Sequence, residues 1–109
     1  MVEYYELIEH TNSSDEEEDV LSITSTEVEK KKVISVLITS EANQGYLRAY
    51  VERQKILEHL TGKATIENFL EIPVDAELDI GQTFKLTLQN KTAGTNAEVY
   101  GLVKYEIVR

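Results

Sequence analysis

FKLTLQNKTAGTNAEVYGLVKYEI, residues 84–107, alternates apolar and polar side chains, breaks into a polar turn and alternates again. In the first run Phe84, Leu86 and Leu88 fall on one face of a period-two strand, with Lys85, Thr87 and Gln89 on the other. In the return run Val99, Gly101, Val103, Tyr105 and Ile107 share a face. Asn, Thr and Gly in NKTAGTN supply positive φ and side-chain-to-backbone hydrogen bonds, so the two runs are expected to form a long antiparallel C-terminal hairpin. Opposite the inward set stand Tyr100 and Leu102, then Lys104 and Glu106, so half of the return strand is apolar on both faces. Either the N-terminal segment or a loop covers Tyr100 and Leu102 within the chain, or they belong to a subunit interface. Gly101 inside the strand points to a bulge or a close backbone approach.

Working outward, KKVISVLITSE (31–41) is dense in β-branched residues and apolar at Val33, Ile34, Val36, Leu37 and Ile38, the composition of a central strand buried on much of both faces. TIENFLEIPV (65–74) offers Ile66, Phe69, Leu70 and Ile72 and reaches Pro73, the sole proline, which cannot donate to a ladder and marks a sheet edge or a strand end. AELDIGQTF (76–84) places Gly81 in a turn feeding the best strand. VEYYELIEH (2–10) spaces Glu3, Glu6 and Glu9 as one helix face would, but its aromatic and β-branched content favours a strand. YLRAYVERQKILEHLTG (46–62) is the segment with two readings. Its helix formers and the Gly62 cap allow a helix near 46–61, whereas the polar Gln54 and Lys55 interrupt a helical stripe. Leu47, Ala49 and Val51 alternate, ERQ turns, and Ile56, Glu58 and Leu60 alternate again, so a hairpin is expected. Together these give an all-β chain, an antiparallel β-sandwich of about seven or eight strands, with α+β as the alternative.

The 109 residues suit one domain over 1–109, with 41% hydrophobic and 28% charged side chains. No apolar run of about 18 residues and no signal-type N-terminus is present, so solubility without membrane insertion is expected. Cysteine is absent, which removes disulfides, thiolate catalysis and the commonest zinc ligands. The formal charge of −9 argues against nucleic acid and anionic membranes as partners. Part of that charge is local: DEEED, Asp15 to Asp19, follows TNSS, and 11–19 is expected to be an exposed acidic loop. Consecutive acids without a glycine do not match the ligand spacing of a calcium loop. The nearby Lys30, Lys31 and Lys32 could pair with it weakly.

No spacing names a reaction. His10 and His59 begin no metal-binding motif, and Glu58 and His59 alternate faces on a strand. There is no nucleophile elbow and no Gly-rich phosphate loop, so no catalytic, cofactor-binding or metal site is assigned and an enzyme is not expected. Tyr46, Tyr50 and Tyr100 are candidates to stack on a glycan. Asn12-Ser13-Ser14 and Asn90-Lys91-Thr92 match the glycosylation acceptor pattern and are read as turn chemistry.

The C-terminal third, IGQTFKLTLQNKTAGTNAEVYGLVKYEIV (80–108), resembles the ends of small jelly-roll-like β-sandwich proteins among the structural components of bacteriophages and archaeal viruses. The shared pattern is a Gly-plus-polar turn, an alternating strand, an Asn/Thr/Gly loop and a last strand with a central Gly closing on Tyr-Glu-Ile. GYLRAYVERQKIL (45–57) is similar to the strand-turn-strand that precedes it, and the acidic run lies outside the pattern. The resemblance offers no catalytic residues. It implies a shell, decoration or host-attachment role in a virion, normally as an oligomer. The expectation is therefore a non-enzymatic structural or attachment protein, a capsid, decoration or spike component that binds copies of itself or other particle and surface proteins through Tyr100, Leu102, Tyr46 and Tyr50. A glycan- or small-ligand-binding module using Tyr46 and Tyr50 is the alternative, and a regulatory domain docking a basic partner on the acidic loop is a third.

Overall fold

The computed structural model describes residues 3–39, 45–60, 70–92, 94 and 96–108, and among them every regular element is a strand. In chain order these are β1 (Glu3–Asn12), β2 (Glu18–Thr24), β3 (Lys31–Thr39), β4 (Gly45–Val51), β5 (Gln54–Leu60), β6 (Leu70–Glu77), β7 (Thr83–Asn90) and β8 (Ala97–Ile107). They form two four-stranded antiparallel sheets, sheet A in the order β1-β8-β3-β6 and sheet B in the order β2-β7-β4-β5. Successive strands alternate between the sheets at every step except β4 to β5, which is jelly-roll connectivity in a β-sandwich.

The ambiguous segment is the hairpin β4–β5, not a helix, and a two-residue turn with Glu52 at φ 56 joins Val51 to Gln54. Pro73 lies in β6, at the edge of sheet A, where its missing N–H interrupts no central ladder. Beside it the register slips between Val33 and Ser35, and Asp75 takes φ 51. β3 is central, flanked by β8 and β6. Ile66 and Phe69, and the Gly62 considered as a helix cap, lie outside the described residues.

The expected C-terminal hairpin needs correcting. β7 pairs with β2 and β4, whereas β8 pairs with β1 and β3, so the polar turn after Asn90 carries the chain across the sandwich instead of folding it back within one sheet. Alternation specifies a strand and its buried face; it says nothing about which sheet receives it.

Between the sheets Leu47, Ala49, Phe84, Leu86 and Leu88 of sheet B meet Ile8, Val33, Val36, Ile38, Val99 and Val103 of sheet A, all fully buried. Each such large aliphatic or aromatic side chain contributes about 1.5–3 kcal/mol relative to exposure. Gly101 sits where β8 passes β3 at φ 154; a Cβ there would overlap the carbonyl oxygen of Leu37 and approach the Ile38 Cα to 2.9 Å. Only glycine permits that approach. Gly81, at φ 87, makes the turn into β7, where the Gln82 N–H donates to the Asp79 carbonyl at 2.9 Å.

Candidate functional site

Each outward face follows from the strand period. On β4, Gly45, Leu47 and Ala49 point inward, so Tyr46, Arg48 and Tyr50 point out of sheet B. Register places Thr87 of β7 on one side of Arg48 and Glu58 of β5 on the other. The Arg48 guanidinium donates to Gln89 Oε1 at 2.7 Å and Glu17 Oε1 at 3.2 Å, and reaches Glu58 Oε1 at 3.4 Å. The Tyr50 hydroxyl donates to Glu17 Oε2 at 2.7 Å, and the Thr87 hydroxyl donates to the same oxygen. Arg48 also lies 5.2 Å from the Tyr46 ring centroid, and Lys85 lies 5.7 Å from that of Tyr50.

Burial pushes the Glu17 carboxyl up, but the hydrogen bonds from Thr87 and Tyr50, together with the Arg48 charge, outweigh it and hold the group below the usual carboxylate range. The Glu17 hydrogen bond raises the Tyr50 hydroxyl above an ordinary phenol, with burial adding to it. Lys55, bonded to Glu58 at 3.0 Å, lowers that carboxyl. Donors and acceptors on this face are therefore largely matched within the chain.

Glu17 reaches sheet B because the acidic turn is fastened from below. Asn12 and Asn90 are buried at one end of the sandwich. Asn12 Nδ2 donates to the carbonyls of Glu16 and Leu88, each at 2.7 Å, and its Oδ1 accepts from the Ser14 N–H at 2.8 Å. Asn90 Nδ2 donates to the carbonyls of Asn12 and Ser14, while its Oδ1 accepts from the Ala97 N–H at 2.6 Å. The two Asn triplets are thus structural corners, their amide nitrogens occupied.

Within the acidic run, Asp15 accepts from the Gly94 N–H at 3.1 Å, Glu18 meets His10 at 3.0 Å and Asp19 pairs with Lys85 at 3.6 Å. Lys30 pairs instead with Glu77 and Asp79, and Lys31 with Glu29. The sequence carries a signal for Asn12 and Asn90. Each continues an inward-facing series, Ile8-His10-Asn12 and Phe84-Leu86-Leu88-Asn90, and a polar residue in such a series must be hydrogen-bonded.

Sheet A is finished differently. Leu7 of β1, Leu102 of β8 and Leu37 of β3 stand in register as one outward row. Leu7 is 67% exposed and Tyr5, in the next row, 57%. Leu102 is half-buried because β1 lies beside it and not over it. Beside the row is a pocket of about 190 Å³ lined by Tyr5, Ser35, Leu37, Glu71, Leu102 and Lys104. Ser35 Oγ donates to Glu71 Oε2 at 3.0 Å, and Lys104 lies 3.7 Å from Glu3. The Tyr100 hydroxyl donates to Glu98 at 3.0 Å.

The four interface candidates are not brought together. Tyr100 and Leu102 lie on the outside of sheet A, and Tyr46 and Tyr50 on the outside of sheet B. Among the described residues no group of three or more His, Asp or Glu is arranged to hold a metal ion, and no helix is long and apolar enough to cross a membrane. His59, opposite Leu47, is turned toward the interior and separated from the outward Glu58. Comparison with protein-family models, curated proteins and solved structures finds no match.

Proposed function

We propose that this protein is a non-enzymatic structural or attachment component, of the kind that builds or decorates a viral or phage particle, and that it works by protein–protein assembly through the outer face of sheet A. The observation that carries this is the row Leu7-Leu102-Leu37, flanked by Tyr5, on a face whose neighbours leave it in contact with water. Exposed apolar side chains in a contiguous row mark interaction surfaces. Sheet B supports the assignment by contrast. Arg48 lies over the Tyr46 ring and Lys85 over the Tyr50 ring, so both rings are already engaged within the chain and are not bare platforms for a glycan. Acidic and basic groups there satisfy one another instead of converging on a cleft.

Jelly-roll connectivity agrees with the resemblance to particle proteins, and that agreement is one of architecture alone. Light scattering on an eluting peak tests the proposal. The native chain is expected to gain mass with concentration, and Leu7→Lys to raise the association midpoint about tenfold or more. A native chain that stays a monomer alone, and leaves candidate particle proteins unbound, would overturn it.

A further inference from the structure

Sheet edges are normally protected against pairing by bulges, prolines or short length. Three of the four edge strands here carry such devices. β6 has Pro73 and a register slip beside Asp75, β2 slips between Asp19 and Leu21, and β5 is seven residues long and slips opposite Ala49 and Tyr50. β1 has none of these three: its ten residues pair with β8 in unbroken register from Glu3 to Asn12, no described strand lies on its other side, and what guards it is the charge of Glu3, Glu6 and Glu9.

We propose that β1 is the assembly edge and that its occupant is β1 of a second copy, paired antiparallel about a two-fold axis at Leu7 so that two A sheets become one eight-stranded sheet. This rests on the assembly function proposed above and names its partner and geometry.

The strand's own side chains choose the register. Paired residues must point to the same face, so a self-paired strand can be centred only on a residue. Centring on Glu6 sets Glu6 against Glu6 and Glu3 against Glu9 of the other copy, like charges directly opposed, which destabilises a sheet. Centring on Leu7 sets Glu3 against Thr11, Tyr4 against His10, Tyr5 against Glu9 and Glu6 against Ile8, with no acid facing an acid. Centring on Tyr5 or Ile8 also avoids acid pairs but places each Leu7 against Glu3 or Glu9. Only the Leu7 centre joins the apolar rows, giving Leu37-Leu102-Leu7 of one copy continuous with Leu7-Leu102-Leu37 of the next. A ladder of backbone hydrogen bonds then supplies attachment, the glutamates exclude the Glu6-centred register and the leucine row selects Leu7.

The absence of cysteine makes the test clean. Across a two-fold the paired Cα atoms stand about 4.5–5.5 Å apart, within reach of a disulfide. Leu7 is exposed enough for Leu7→Cys to leave folding intact. Leu7→Cys, Thr11→Cys and Leu102→Cys are oxidised separately at a concentration where the native chain associates and run without reductant. Thr11 would lie opposite Glu3, roughly 27 Å from its own counterpart along the strand. The expected result is a covalent dimer for Leu7→Cys and at least about tenfold less for Thr11→Cys. Cross-linking through Leu102→Cys without Leu7→Cys would overturn β1 pairing while leaving the sheet A face as an assembly surface. Equal cross-linking at all three positions would overturn the register. A native chain that never associates, with no cross-link at any position, would overturn both this inference and the self-association on which it rests.

Discussion

The two outward faces of the sandwich are built on the same pleat and finished in opposite ways. Sheet B spends Arg48, Glu17, Tyr50, Thr87, Gln89 and Glu58 on one another, so it offers water a surface whose polar groups already have partners. Sheet A leaves Tyr5 and Leu7 exposed next to an unbulged edge. A face closed by its own chain contributes stability to the monomer, whereas an apolar face beside an open edge gains from a second molecule. Substitutions should therefore separate into those that cost folding and those that cost assembly.

The largest effect is expected at Gly101. In Gly101→Ala the new Cβ must displace the Leu37 carbonyl at an unfavourable φ, and a loss of about 3 kcal/mol or more is expected in urea unfolding. A loss under about 1 kcal/mol would mean that β3 and β8 are not held that closely. Next is Asn90→Ala, which strips the corner between β7 and β8 of three hydrogen bonds and leaves the buried Ala97 N–H without its acceptor. About 2 kcal/mol is expected from the same measurement. Asn12→Ala should behave alike and be non-additive with it, since Asn90 donates to the Asn12 carbonyl.

Glu17→Gln sharpens the contrast from the sheet B side, with an expected cost of about 1 kcal/mol at pH 7. The Glu17 carboxyl is lowered in the folded chain, so its contribution is complete above the unfolded value and disappears as pH falls through the folded one. Unfolding midpoints of Glu17→Gln and the native chain should accordingly converge as pH falls through the lowered value of the folded carboxyl. A gap that persists there would assign the effect to packing. The smallest effect on folding is expected for Leu7→Lys, within about 0.5 kcal/mol by urea unfolding because the side chain is already exposed.

The strands were legible because packing reinforces period-two alternation. Phe84, Leu86 and Leu88 point inward as their spacing requires, and Gln54 and Lys55 rule out a helical stripe in the segment that became β4 and β5. Pairing was not legible for β7 and β8, because a polar turn can serve either a hairpin or a crossing between sheets. What settles it is the cross-chain set Asn12, Ser14, Asn90 and Ala97, which no local window contains. The same holds for Glu17. In sequence it is one of five consecutive acids, and only the corner beneath it sets its carboxylate beside Arg48, 31 residues away. Tyr100 and Leu102 were visible as apolar residues on an outward face, but Leu7 and Leu37, which complete the row, come from strands distant in sequence.

Sedimentation equilibrium of the native chain, Leu7→Lys and Tyr46→Ala over a range of concentration and salt tests the central claim most directly. Each copy carries a net charge of −9, so association through apolar side chains and backbone should strengthen as salt screens the repulsion. The predicted result is a native dimer favoured by salt, retained in Tyr46→Ala and lost in Leu7→Lys. A single species of 12.4 kDa at every concentration, or a dimer lost in Tyr46→Ala and kept in Leu7→Lys, would contradict it.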